Sequence, residues 1–203
     1  MASICCAFCK QEIVKVKLIQ TDLPDVVIIE PAVFGDDRGW FMESFNENRF
    51  HRGLQELGLP VPNAFVQDNH SCSKQGTLRG LHYQLPPYAQ GKLVRVVRGA
   101  AYDVAVDIRK DSPTFGKAVG VELSENNRRM LWIPEGFAHG FLALEDDTHF
   151  LYKTTNYYNK ASEGAIVWNA PELAIEWPAG PDMQILVSEK DAAADTFAVA
   201  PKF

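Results

Sequence analysis

Apolar and polar positions alternate in short runs along most of this chain, and turn residues separate the runs. The clearest is Tyr102, Val104, Val106 and Ile108, interleaved with Asp103, Ala105 and Asp107. Period two sends successive side chains to opposite sides of a strand, so residues 101–108 predict a strand with one apolar face. Residues 26–29, a β-branched run between Pro24 and Pro31, predict another. A Gly-Asp-Asp-Arg-Gly turn at 35–39 leads into a strand over 40–45. Residues 92–97 and 101–108 flank Gly99 and predict a hairpin. Runs at 119–123, 129–133, 140–144, 149–154 and 166–168 continue the series. Residues 46–58 are the exception: Phe50, Leu54 and Leu57 fall on one helical face, with Gly58 as a stop and Pro60 beyond.

Many short strands with turns every roughly 8–12 residues predict a sandwich or barrel, and no strand–helix–strand alternation argues for a parallel sheet. The expected class is all-β with a few short helices. The 203 residues suit one domain; we assign it to 21–203, with 1–20 as an N-terminal extension. A 46% hydrophobic share and 23% charged residues are globular values. The net charge of −6, without basic runs, opposes nucleic-acid binding. The three cations between Lys92 and Arg98 still allow a small phosphorylated ligand. No apolar run is long enough to span a bilayer, and the first residues lack the basic segment of an export signal, so a cytoplasmic protein is expected. Cys6 and Cys9 have zinc or redox spacing, but no second ligand pair accompanies them, and we carry no function onto that cluster.

Among five histidines, His82 and His139 lie in glycine-flanked β segments, Arg79-Gly80-Leu81-His82-Tyr83-Gln84 and Pro134 to Phe141. A lone histidine there is ordinarily a satisfied polar residue at a strand edge; two suggest a shared pocket. Arg79 and His82, three apart, would face opposite ways on a regular strand. A bulge at Gly80 would turn both into one cavity. Metal binding is one use of such histidines. Pro-x-Gly-x-x-His is similar to a cupin motif, but Gln84 stands where a second first-motif histidine is expected, leaving fewer than three ligands. General acid–base chemistry is the other. A histidine base can take a proton beside a carbonyl, Lys92 ten residues on can face the enolate oxygen, and Tyr152 can return the proton. Tyr152 also reads as an ordinary core aromatic.

Nine ordered segments carry a family resemblance. They are 37–45, 67–71, 76–84, 90–94, 107–109, 112–116, 134–141, 152–155 and 188–191. With these the chain resembles the dTDP-4-dehydrorhamnose 3,5-epimerases, cupin-fold sugar-nucleotide epimerases built on a double-stranded β-helix (jelly-roll) barrel. The resemblance runs from about Val26 to Phe197.

It implies that His82 is the base for C5 and C3 beside the C4 ketone, and that Asp191 is its paired carboxylate. It implies Lys92 at the enolate oxygen and Tyr152 as the acid on the opposite face. Arg38 and Arg79 are then expected on the diphosphate. Gln67, Asp68, Asn69 and Glu43 are expected near the nucleotide, and His139, Glu163 and Lys190 at further substrate contacts. The implied protein needs neither metal nor cofactor. It is a homodimer with strand exchange near the N-terminus, for which residues 26–29 are a plausible exchanging strand. Trp168-Asn169-Ala170-Pro171 departs from the family's Trp-Asn-Asp-Pro. The implied activity is conversion of dTDP-4-dehydro-6-deoxy-D-glucose to dTDP-4-dehydro-L-rhamnose. Epimerisation at C3 or C5 alone, a metal-dependent cupin and a non-catalytic sugar-binding module stand beside it.

Overall fold

The computed structural model describes residues 16–203; the Cys6–Cys9 pair lies outside the described residues. Two six-stranded sheets face each other, as expected of a jelly roll. One has the order β1 (Lys17–Gln20), β2 (Val27–Glu30), β10 (Met130–Ile133), β7 (Lys92–Arg98), β12 (Thr148–Thr154), β5 (Gln67–Ser73). The other runs β13 (Glu163–Ala165), β6 (Thr77–Gln84), β11 (Phe137–Ala143), β8 (Ala100–Asp107), β9 (Ala118–Ser124), with β14 (Leu186–Val187) parallel to β6. A separate hairpin, β3 (Val33–Asp36) and β4 (Gly39–Met42), stands apart from both.

Strand alternation sorts the chain into layers. Val94, Val96, Leu131, Ile133 and Phe150 of the first sheet meet Ala101, Ala105, Leu123, Phe137 and Phe141 of the second. Phe150, fully buried, stacks on Phe141 with ring centres 4.1 Å apart. Burying a side chain of this size stabilises by about 2–3 kcal/mol. Outside the first sheet lies α1 (Glu47–Glu56), capped by the Asn46 side chain on the Arg49 N–H. Its Phe50 and Leu54 are buried against Val27, Ile29, Leu93 and Trp132, and Leu57 packs partly against the same cluster. Outside the second sheet, Val104, Val106 and Ile108 pack under the C-terminal segment through Ile166, Leu173 and Ala200.

Several expectations are corrected. Residues 92–97 and 101–108 form strands but no hairpin, because β7 and β8 belong to opposite sheets. Gly99, at φ 72°, carries the chain around the edge; a Cβ there would lie 2.7 Å from Thr148 Oγ1. The polar positions of β8 are not a solvated face, since Asp103 and Asp107 are fully buried and point between the sheets. Val27 and Ile29 are buried, and β2 lies between β1 and β10 of its own chain. The sheet also starts inside the segment assigned to the extension, at Lys17. The strand expected over 166–168 reduces to a single bridge from Ile166 to Asp195. Conversely, β5 carries no periodic signal: Gln67-Asp-Asn-His-Ser-Cys-Ser73 has no apolar alternation, because its inner face is polar.

Candidate active site

At one end of the space between the sheets the apolar packing gives way to a cavity of about 550 Å³. The strands lining it carry polar inward side chains: Gln67 and Asn69 on β5, Arg79 and His82 on β6, Lys92 on β7, His139 on β11, Tyr152 on β12. Between β6 and β11 the register shifts. His139 pairs with His82 and Phe141 with Arg79, so three residues of β6 span two of β11. That extra residue turns Arg79 and His82 to the same side, as expected of a bulge. Gly80 makes it sterically accessible. Its φ is 123°, and an added Cβ would sit 2.6 Å from Gly140 Cα and 2.7 Å from the His139 carbonyl oxygen.

His82 Nε2 lies 2.6 Å from Asp191 Oδ1, although the two are 109 residues apart in the chain. The parallel pairing of β14 with β6 brings the C-terminal segment alongside. Ser188 then caps the short helix α2 (Glu189–Ala192) by accepting from the Asp191 N–H. Asp191 Oδ2 also accepts from the Gly80 N–H at 3.3 Å. Burial pushes the Asp191 carboxyl up, but the bonds from His82, Gly80 and Ser188 outweigh it and hold it below the ordinary carboxylate range. An ionised carboxylate only accepts, so His82 Nε2 carries a proton and Nδ1 is left as the basic nitrogen.

Lys92 reaches into the cavity from the facing sheet, and Nζ donates to the His82 carbonyl at 3.2 Å. Burial lowers its pKa to about 8, against the opposing charges of Asp103 and Glu163. Tyr152 is partly buried in the wall, and burial raises its hydroxyl above the usual range, in part offset by Arg79. Arg79 Nε donates to Ser73 Oγ at 3.2 Å. At the mouth, Lys190 Nζ and Glu163 Oε1 are 2.6 Å apart and the Tyr158 hydroxyl donates to Glu163. Gln84 staples a loop: its amide donates to the Tyr88 and Tyr157 carbonyls and accepts from the Asn159 N–H.

Three expected binding residues lie elsewhere. Arg38 is exposed on the β3–β4 hairpin, paired with Asp36. Glu43 faces Asn46 and Arg49 beside α1. Asp68 points to the outer face of the sheet and pairs with Lys153. One residue absent from the expected set stands behind the site's wall: Asp103, whose Oδ1 is 2.7 Å from Nε2 of the lining residue His139. Its signal in the sequence was a carboxylate in the middle of an otherwise apolar strand. Ala170 is buried with the outer cluster of the second sheet, away from the cavity.

Residues 20–199 match the family model described as dTDP-4-dehydrorhamnose 3,5-epimerase. A protein of that name from Shigella flexneri is 57% identical over 186 residues, 92% of this chain and 98% of its own. Another, from Pseudomonas aeruginosa, is 53% identical over 187 residues, 92% of this chain and 99% of its own. The crystal structure of a dTDP-6-deoxy-D-glucose-3,5-epimerase from Legionella pneumophila, in complex with dTDP-4-keto-L-rhamnose, aligns with a TM-score of 0.83 at 49% identity. It covers 91% of this chain and 94% of its own.

Proposed function

The chain belongs to the dTDP-4-dehydrorhamnose 3,5-epimerase family, and on that premise we propose how its cavity converts dTDP-4-dehydro-6-deoxy-D-glucose to dTDP-4-dehydro-L-rhamnose. The C4 ketone acidifies C3 and C5. His82 Nδ1 takes the proton from the carbon, and the electron pair moves into the enolate oxygen. Asp191 holds the ring in the tautomer that leaves Nδ1 free and stabilises the imidazolium as it forms. Lys92 supplies the cation facing the enolate oxygen. Tyr152 delivers a proton to the opposite face, which inverts the centre; the His82 imidazolium then gives its proton to water and the Tyr152 phenolate regains one from water, which resets both groups. The observation that carries this reading is the 2.6 Å His82–Asp191 pair opening on the same cavity as Lys92 and Tyr152.

Arg79 is the diphosphate contact and Gln67 and Asn69 the nucleotide contacts within the cavity, with His139, Glu163 and Lys190 touching the substrate around them. The activity belongs in the cytoplasm, where nucleotide sugars are made. Among the described residues no helix is long and apolar enough to cross a membrane.

Proton NMR of the substrate in deuterated water tests the chemistry. Exchange at both C3 and C5, abolished in His82→Asn, is expected. Exchange confined to one carbon identifies a mono-epimerase, and full exchange in His82→Asn removes His82 as the base.

The hairpin supports a homodimer. Phe34, Trp40 and Phe41 are exposed on it, Phe41 by 67%, and it carries Arg38 away from its own cavity. We place Arg38 and Glu43 in the cavity of a second copy, and Asp68 at the joint between copies. Mixing His82→Asn with Arg38→Ala subunits then regenerates one complete site per mixed dimer. Activity that stays at the sum of the two single variants rejects this arrangement.

A further inference from the structure

Asp103 sits at the centre of β8, fully buried, opposite Phe141 of β11. Its Oδ1 accepts a hydrogen bond from His139 Nε2–H, while Oδ2 is buried without a hydrogen-bond partner among the described residues. Such a carboxyl oxygen is costly to bury, and an apolar side chain would fill the same space without that cost. On the facing sheet the nearly buried Lys92 ammonium has, among the described residues, one hydrogen bond, to a carbonyl, and no carboxylate within ion-pair distance. The other carboxylates at the cavity are committed: Asp191 to His82, and Glu163 to Lys190 and Tyr158. Lys92 and Asp103 influence each other through space, each favouring the other's charged form. Burial itself raises the Asp103 carboxyl above its ordinary range, and His139 and Lys92 work against that rise by favouring the anion.

We propose that Asp103 is a positioning residue for the epimerisation, the fixed buried charge that keeps Lys92 cationic toward the substrate ketone and fixes the His139 ring with Nδ1 as the acceptor facing the substrate. The inference rests on the acid–base reading above. Burial pushes His139 toward its neutral form, against the pull of Asp103. In that form Nε2–H is spent on Asp103, and Nδ1 accepts from a sugar hydroxyl. The other titratable or charged groups around this cavity are His70 on β5, Arg79, His82 and Tyr83 on β6, Tyr152 on β12, Glu163 on β13, Lys190 and Asp191 on α2, and Tyr158.

The test is the pH profile of kcat/KM in Asp103→Asn, with a thermal melt alongside. Lys92 must be protonated to face the enolate, so wild-type activity falls through an alkaline limb at about 8. Tyr152, held above its ordinary range, titrates later. Removing the Asp103 charge moves the alkaline limb down by about one pH unit, the size of a nearby opposite charge's effect. A purely structural role lowers kcat/KM and the melting temperature without moving the limb, and that result overturns the proposal. His139→Gln covers the case in which Asp103→Asn does not fold. It keeps the carboxylate, so kcat/KM drops while the limb stays in place; a limb that moves down there also overturns the proposal. Absent wild-type exchange at C3 and C5 would instead reject the proposed function, independently of both variants.

Discussion

Replacing Asp191 by Asn changes one atom of the buried pair and leaves its shape. In the native site Asp191 Oδ1 accepts a hydrogen bond from His82 Nε2–H at 2.6 Å and Oδ2 accepts one from the Gly80 N–H at 3.3 Å. An amide has one acceptor for those two donors. If its oxygen stays on Gly80, the NH₂ group meets His82 Nε2, which must then give up its proton. The proton moves to Nδ1, the nitrogen that has to act as base. If the oxygen turns to His82, the NH₂ group faces the Gly80 N–H, donor against donor. Either arrangement removes the anion that stabilises the imidazolium. Loss of general acid–base assistance is worth about 10²–10⁴ in rate, or about 3–5 kcal/mol at 1.36 kcal/mol per tenfold. We therefore expect kcat of Asp191→Asn to fall by about 10²–10⁴ with KM little changed. Deuterium exchange at C3 and C5 should slow by the same factor. Stopped-flow turnover and NMR exchange measure both. An Asp191→Asn enzyme exchanging within about threefold of wild type, far inside the range a working base contributes, would refute the dyad.

Three other predictions follow from the same geometry. Tyr152→Phe keeps the base and loses the opposite-face acid, so deuterium should enter with retained configuration while the inverted product disappears; NMR coupling constants distinguish the two. Gly80→Ala forces a Cβ into the Gly140 and His139 backbone and should cost about 3 kcal/mol or more, read as a lower urea midpoint together with lost activity. In Asp107, burial raises the carboxyl, but bonds from Arg109, Ser112 and Thr114 outweigh it and bring the pKa to about 2. A lowered folded-state pKa contributes stability that is present above the unfolded value, about 3.9, and lost as pH falls through the folded one. That amounts to about 2–3 kcal/mol at neutral pH, so Asp107→Asn should unfold at lower urea than wild type at pH 7, with the gap closing as pH approaches 2.

The strands with apolar alternation were legible in the sequence because burying one row of a strand imposes period two on its residues. Residues 92–97, 119–123 and 149–154 all appear within a residue or two of their observed ends. Helix α1 was legible for the matching reason, since Phe50, Leu54 and Leu57 repeat at helical spacing above a sheet. The strands that build the site were harder to read. β5 faces the cavity with Gln67, Asn69 and Ser71, and a polar lumen leaves no hydrophobic period.

His82 and the bulge at Gly80 could be inferred from local sequence alone, because a glycine between two functional side chains changes which way they point. Which sheet each strand joins could not. β7 and β8 resemble a hairpin through Gly99, and only packing on both faces sends them to opposite sheets. Family resemblance named Asp191, but only the parallel pairing of β14 with β6 brings it to 2.6 Å from His82. Asp103 read as the polar half of an amphipathic strand. The facing sheet buried it, and an isolated strand carries no information about what will cover its polar face.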